Sequence, residues 1–202
     1  MNFALRTLLL LVLTGLLVPV RAQYFGQNKP RYQRFDFQVY ESDHFTYYTY
    51  LKDRQKINQL ADWAEQWHDL HQAVLQDTFL QRNPILWYNH HAHFQQTNAI
   101  MGPIGQGTGG VTEGFKNRVI HPILMTNKAT HHVLGHEMVH AFQYNMVING
   151  EETDLRNMGN MPLWLVEGLA EYMSIGRVDA HTALWMRDAY LHDRIPTLRE
   201  LN

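Results

Sequence analysis

With 202 residues, 45% of them apolar and 12% aromatic, the chain is long enough for one domain with a genuine core and too hydrophobic to be disordered. A formal net charge of −2 without any basic stripe gives no support to a nucleic-acid partner. The absence of cysteine excludes a disulfide scaffold and a lipid anchor carried on a thiol, so the core alone must supply stability.

Residues 1–22 read as a signal peptide. Arg6 supplies the early charge, an apolar run follows over residues 7–20, and Val20-Arg21-Ala22 resembles a small-residue cleavage site that leaves Gln23 as the new N-terminus. An apolar run of that length between two arginines is short for a membrane span. The expectation is an exported domain over residues 23–202, periplasmic or secreted, with no stable membrane insertion once the leader is gone. A cysteine-free exported chain suits a bacterial envelope.

Residues 23–34 form a polar, aromatic lead-in. The β-branched and aromatic runs 35–42 and 45–51, joined at Asp43-His44, predict a hairpin. Residues 53–80 predict a long amphipathic helix, with Ile57, Leu60, Ala64, Trp67, His71 and Val74 recurring at spacings of three and four. His68 and His71 on this helix are expected to be partly buried or at the surface rather than ligands. Residues 84–90 predict a buried strand, followed closely by His90, His91 and His93, which lack an acidic or thiol partner for a metal. The Gly-rich stretch 102–115 lacks the Gly-Lys-Ser/Thr ending of a phosphate loop, so a flexible flap beside a cleft is expected instead. Residues 118–125 predict a strand that Pro122 pushes towards a sheet edge, serving either as a plain edge or as a strand that pairs with an extended substrate.

The stretch 130–144, THHVLGHEMVHAFQY, carries the chemistry. His136, Glu137 and His140 spell H-E-x-x-H, which places both imidazoles on one helical face with the carboxylate beside them. Composition alone would produce that pattern roughly 0.04 times in such a chain. At 100° steps Val133 and Tyr144 share the motif's side, whereas Leu134, Met138 and Phe142 line the other. This is the layout of a zinc hydrolase: two imidazole ligands and a general base. After a turn at Asn149-Gly150 and a polar loop over 151–161, Pro162 opens a second helix that ends near Gly176. On it Glu167 and Glu171 lie four apart on one face, with Leu165, Leu169 and Met173 opposite. In the tail, 177–202, Trp185 and Met186 are the expected anchors.

Two imidazoles leave zinc short of a third protein ligand, and Glu167 is the candidate. H-E-x-x-H followed by Trp164-Leu165-Val166-Glu167-Gly168 and Ala170-Glu171-Tyr172 resembles the gluzincin metallopeptidases. In their aminopeptidase branch the glutamate before glycine is the third ligand, which implies that role for Glu167. More narrowly, YFGQNKPRY, FQQTN at 94–98, GTGGVTEGFKNRV and MPLWLVEGLAEY resemble an exported bacterial peptidase MA-like domain, a group in which a TolB-like propeller often follows. The resemblance implies an α+β, zincin-like fold: a small mixed sheet with an edge strand, packed on helices, and an active-site helix bearing the motif. It implies a Zn2+-dependent peptidase with Glu137 as general base acting on a peptide or protein substrate. Two departures stand out. The 26 residues between His140 and Glu167 exceed the familiar gap, as a loop insertion would, and no propeller follows, which suggests a shortened or partial chain and makes a partner domain or propeller a candidate partner. Glu171, one turn past Glu167, is expected to accept the free ring N–H of a ligating histidine. The competing readings are a zinc-binding interaction module without turnover and a zinc amidase acting on a non-peptide amide. No residue is assigned as oxyanion donor: Tyr172 points away from Glu167 on the helical wheel, and Tyr190 is the other tyrosine considered.

Overall fold

The computed structural model describes Lys29, residues 31–149 and residues 156–201. The expected leader, Gln23 and the turn at Gly150 lie outside the described residues. The architecture is mixed α+β, a small mixed sheet with several helices.

Five strands run in the order β1-β2-β3-β5-β4. Strands β1 (Gln38–Glu41) and β2 (Phe45–Thr49) form the expected antiparallel hairpin. Strand β2 is parallel to β3 (Asn83–Tyr88), and β3 is parallel to β5 (Arg118–Pro122). Strand β4 (Val111–Glu113) closes the far side, antiparallel to β5. The parallel β2–β3 step needs a crossover, and helix α1 (Arg54–Leu75) supplies it. Asp53 caps α1 by accepting from the Lys56 amide at 3.1 Å.

Side-chain alternation divides the sheet into two apolar faces. Phe45, Tyr47, Ile85, Trp87 and Val119 point to one face, where they meet Ile57, Leu60, Ala64 and Trp67 of α1. Leu134, Met138 and Phe142 of helix α3 (Asn127–Asn149), the face expected from the helical wheel, complete that core together with Ala141. Trp67 Nε1 donates to the His131 carbonyl at 3.0 Å and ties α1 to α3. Tyr88 and Ile120 point the other way and pack with Phe94 of the short helix α2 (His91–Phe94), Ile104 and the part-buried Phe35 and Phe37.

Several expectations need correction. Helix α1 stops at Leu75 because Gln76 turns left-handed (φ 55°), and Val74 is exposed rather than part of the stripe. Strand β5 is interior, not an edge. Its Pro122 pairs with Tyr88 at the strand's end, beyond Ile120 where β4 begins its pairing, so no ladder bond is asked of the missing N–H on that side. The edge on that side of the sheet is β4, inside the Gly-rich stretch expected to be a flap beside a cleft. That stretch is pinned from α2: Gln95 Nε2 donates to the Ile104 carbonyl at 2.9 Å, and His91 Nε2 lies 3.0 Å from the Thr108 carbonyl. The polar loop contains a short helix, α4 (Arg156–Asn160).

Helix α5 (Leu163–Ile175) starts after Pro162 and ends at Gly176 as expected. It packs on α3, yet only Ala170 is fully buried; Leu165 is exposed, so the supposed apolar face is not covered along its length. The tail holds one more helix, α6 (Ala180–Leu191), capped by Asp179, whose carboxylate accepts from the Thr182 amide at 2.7 Å. Trp185 and Met186 anchor nothing there. They are exposed, because α6 buries none of its residues. Among the described residues, no helix is long and apolar enough to cross a membrane.

His121 on β5 sits at the centre of the core. Its Nε2 accepts from Trp87 Nε1 at 3.0 Å, and its Nδ1–H donates to the Pro122 carbonyl at 3.0 Å. Complete burial pushes its pKa from 6.5 down to about 4, with the bond to Pro122 pulling weakly the other way. As pH falls, the unfolded chain therefore takes up this proton before the folded one does. The stability contribution is intact above pH 6.5 and drains away between 6.5 and about 4. Unfolding free energy should fall over that window by up to about 1.4 kcal/mol per pH unit from this residue. Denaturant melts at about pH 7 and about pH 4.5 check it: His121→Gln should show a shallower pH dependence than the parent, and parallel profiles would contradict the assignment.

Candidate metal centre

Helix α3 has two different sides. One is the buried apolar face against α1 and the sheet; the other carries His132, Val133, His136, Glu137, His140 and Tyr144 into a cleft of about 490 Å³. Residues 107–112, on and before β4, form the opposite wall, and Val166, Glu167 and Glu171 of α5 form the end. The two helices pack directly against each other, which brings Glu167 to the histidines despite the intervening 26 residues.

Three donor atoms converge there. His136 Nε2 and His140 Nε2 are 3.1 Å apart, and Glu167 Oε2 lies 3.3 Å from the first and 3.4 Å from the second. The outer ring nitrogens fix what the inner ones carry. Gln143 Nε2 donates to the Val166 carbonyl at 3.0 Å, which leaves its Oε1 to accept from His140 Nδ1–H at 2.8 Å. The Glu171 carboxylate accepts from His136 Nδ1–H at 3.0 Å. Both Nδ1 atoms therefore hold the ring proton, and both Nε2 atoms present lone pairs to each other and to a carboxylate. Burial holds the His136 pKa below its usual value, with His140 adding to the effect and Glu171 opposing it, which favours the neutral ring that holding a cation would require. One proton can bridge only one of the three pairs, whereas one cation satisfies all. Tetrahedral coordination at ordinary zinc distances asks for about 3.3 Å between donors, which this triangle matches.

Glu137 sits beside the triangle and takes no part in it. It is buried, and Thr112 Oγ1 contacts it twice, 2.7 Å from Oε2 and 2.9 Å from its backbone carbonyl. Burial pushes its pKa up to about 7, with the Thr112 bond pulling down. The segment entering β4 runs so close that a Cβ on Gly110 would stand 2.8 Å from Glu137 Cγ. Only glycine fits there without displacing the carboxylate.

All five residues singled out in the sequence therefore lie at one cleft: His136, His140 and Glu167 as the triangle, Glu137 beside it, and Glu171 behind His136. Sequence reading missed three supporting residues. His132, one turn before His136, places Nε2 3.2 Å from the same Glu171 oxygen. Gln143 and Thr112 were the others. The spacing of His132 and Gln143, four before His136 and three after His140, was a usable signal; nothing local marked Thr112.

Two other histidine groups come close in space. His44, Glu65 and His68 could offer three ligand atoms within 4.8 Å of one another. The His44 and His68 rings, however, stack with centroids 3.7 Å apart and planes 17° from parallel. An ion must lie near the plane of each imidazole that binds it, and stacked rings offer no nearby point in both planes. His68 is instead a core residue against Phe45, Phe79 and Phe142, and His71 packs on Trp67 and Phe142, both deeper than expected. His90 and His93 contact each other with ring centroids 3.7 Å apart, while His93 Nδ1 lies 2.8 Å from the Tyr50 hydroxyl.

The family described as "BSP: Peptidase of plants and bacteria" matches residues 109–193, a span that contains the whole triangle, Glu137, Glu171 and Thr112. The match covers less than half of the chain; it supports a peptidase-related domain over those residues and a hydrolase role in general, a coarser statement than the gluzincin resemblance. No curated protein and no solved structure matches it significantly.

Proposed function

We propose that this chain is an exported zinc metallopeptidase of zincin-like fold, with His136, His140 and Glu167 holding the metal and Glu137 as general base. The observation that carries the reading is the convergence of two imidazole lone pairs and a carboxylate oxygen at 3.1–3.4 Å, with both ring protons committed outward. Two nitrogens and one oxygen suit zinc and leave a fourth position open. The peptidase family match over the same residues supports the reaction class, and the leader-like residues 1–22 support export.

Zinc held by His136, His140 and Glu167 would supply Lewis acidity towards a carbonyl and a bound water. The protein's own groups do the rest. Strand β4 pairs with β5 on one side and borders the cleft with the other, so its outer backbone groups can align an extended peptide across α3. Glu137 takes a proton from a water attacking the carbonyl carbon, then delivers it to the amide nitrogen as the C–N bond breaks. A pKa near neutrality suits both transfers. Glu171 and Gln143 hold the two imidazoles in the tautomer that presents Nε2, and His132 steadies Glu171.

The metal assignment has a ranked test. Purified protein should bind about one zinc per chain. Glu167→Ala should strip the metal, whereas Glu171→Ala should weaken affinity by roughly 10- to 100-fold. Competition titration against a chromogenic chelator measures both, and the reverse ranking would exchange the two glutamates' roles.

Glu137 separates an enzyme from a binding module. Glu137→Gln keeps shape while removing the base, so zinc content and folding should persist while peptide turnover falls by about 10²- to 10⁴-fold. Turnover at the parent rate in that variant would defeat the mechanism. A parent protein that binds zinc but leaves a broad peptide library uncut would instead point to the non-catalytic module.

A further inference from the structure

Hydrolysis of a peptide places negative charge on the former carbonyl oxygen, and that oxygen needs a donor from the protein as well as the metal. The side-chain donors that contact the triangle and Glu137 are committed. Thr112 serves Glu137, while His136 and His140 turn their N–H groups to Glu171 and Gln143. His132 is engaged with Glu171. On the cleft-lining face of α3, one hydroxyl is left.

Tyr144 lies one turn beyond His140 on that face and lines the cleft with Glu137 and Glu167. Side chains on a helix lean towards its N-terminus, so this ring leans back towards the metal ligands rather than away from them. The ring is fixed by the β4–β5 turn: a Cβ on Gly114 would stand 2.8 Å from its Cε1 and 3.0 Å from its Cδ1. The hydroxyl makes no hydrogen bond with any described residue. Tyr172 and Tyr190, the alternatives raised by the sequence, are exposed and line no part of the cleft.

We propose that Tyr144 is a catalytic residue whose hydroxyl donates a hydrogen bond to the substrate's carbonyl oxygen as that oxygen gains charge, a role that rests on the peptidase reading above. No proton is transferred in this contact; the phenol donates and keeps its hydrogen. Its protonation state suits that role. Burial first, then the carboxylates of Glu137, Glu113 and Glu167, raise its pKa, so it stays a neutral donor through the working pH range. A tyrosine present only to pack its ring against Gly114 would be replaced by phenylalanine without consequence.

Tyr144→Phe is therefore the deciding variant, because it keeps the ring and removes only a hydroxyl with no partner among the described residues. Zinc-loaded parent and variant are compared in fluorescein-casein cleavage, and in calorimetric binding of a benzyloxycarbonyl-dipeptide phosphinate and of a simple peptidyl thiol. The phosphinate mimics the charged tetrahedral oxygen, whereas the thiol needs only the metal. Tyr144→Phe should lower kcat by about 10²- to 10³-fold with KM within about twofold. Phosphinate affinity should fall, and zinc content and thiol affinity should not change. A variant that cleaves and binds the phosphinate as the parent does overturns the role of Tyr144 and leaves the peptidase reading standing. A zinc-loaded parent that neither cleaves casein nor binds the phosphinate overturns both together.

Discussion

The mutual repulsion of three lone pairs is the constraint around which this structure is arranged. His136 Nε2, His140 Nε2 and Glu167 Oε2 sit within 3.4 Å of one another. None can relieve the others by itself, because the two ring protons are held on the far nitrogens by Glu171 and Gln143. Such an arrangement is costly unless a cation occupies its centre. The outward hydrogen bonds are thus as much a part of the site as the three inward-facing donor atoms. Gln143 serves both helices. One end of its amide orients His140, and the other holds the carbonyl of Val166, next to Glu167 on α5.

Helix α3 makes this possible by separating two jobs around its circumference. Leu134, Met138, Ala141 and Phe142 lock it into the core, so its other face is presented on a rigid support. Strand β4 then covers that face closely enough to desolvate Glu137 while Thr112 holds the carboxylate's orientation. Desolvation raises the glutamate's pKa and the threonine bond moderates it, a combination that suits the base role proposed for Glu137. Helix α5 contributes little buried apolar surface of its own. Its attachment relies on Ala170 and on polar links such as the Gln143–Val166 bond.

The legible parts of the sequence were those set by short-range periodicity. H-E-x-x-H, the Leu134-Met138-Phe142 stripe and the Glu167/Glu171 spacing each express helical geometry over one or two turns, and their faces came out as read. The hairpin at Asp43-His44 was legible for the same reason, alternation over a few residues. What failed depended on partners distant in sequence. Pro122 reads as an edge signal, yet its place in the sheet is decided by where β4 stops pairing. Strand β4 has only Val111, Thr112 and Glu113 and is flanked by glycines, so its local pattern suggests a loop, and only pairing with β5 makes it a strand. Thr112 could not be tied to Glu137 from sequence, because 25 residues and a strand-to-helix packing contact separate them. Trp185 and Met186 misled in the opposite direction, since large apolar residues in the tail imply burial that α6 does not provide.

Everything proposed for this cleft depends on where a metal binds. Diffraction from zinc-loaded crystals, collected on either side of the zinc absorption edge, locates the ion without reference to activity. The expected result is one strong anomalous peak about 2.0–2.2 Å from His136 Nε2, His140 Nε2 and a Glu167 oxygen, with Glu137 beside it but not bound. A peak among His44, Glu65 and His68 instead, or full occupancy at α3 without Glu167, would contradict it.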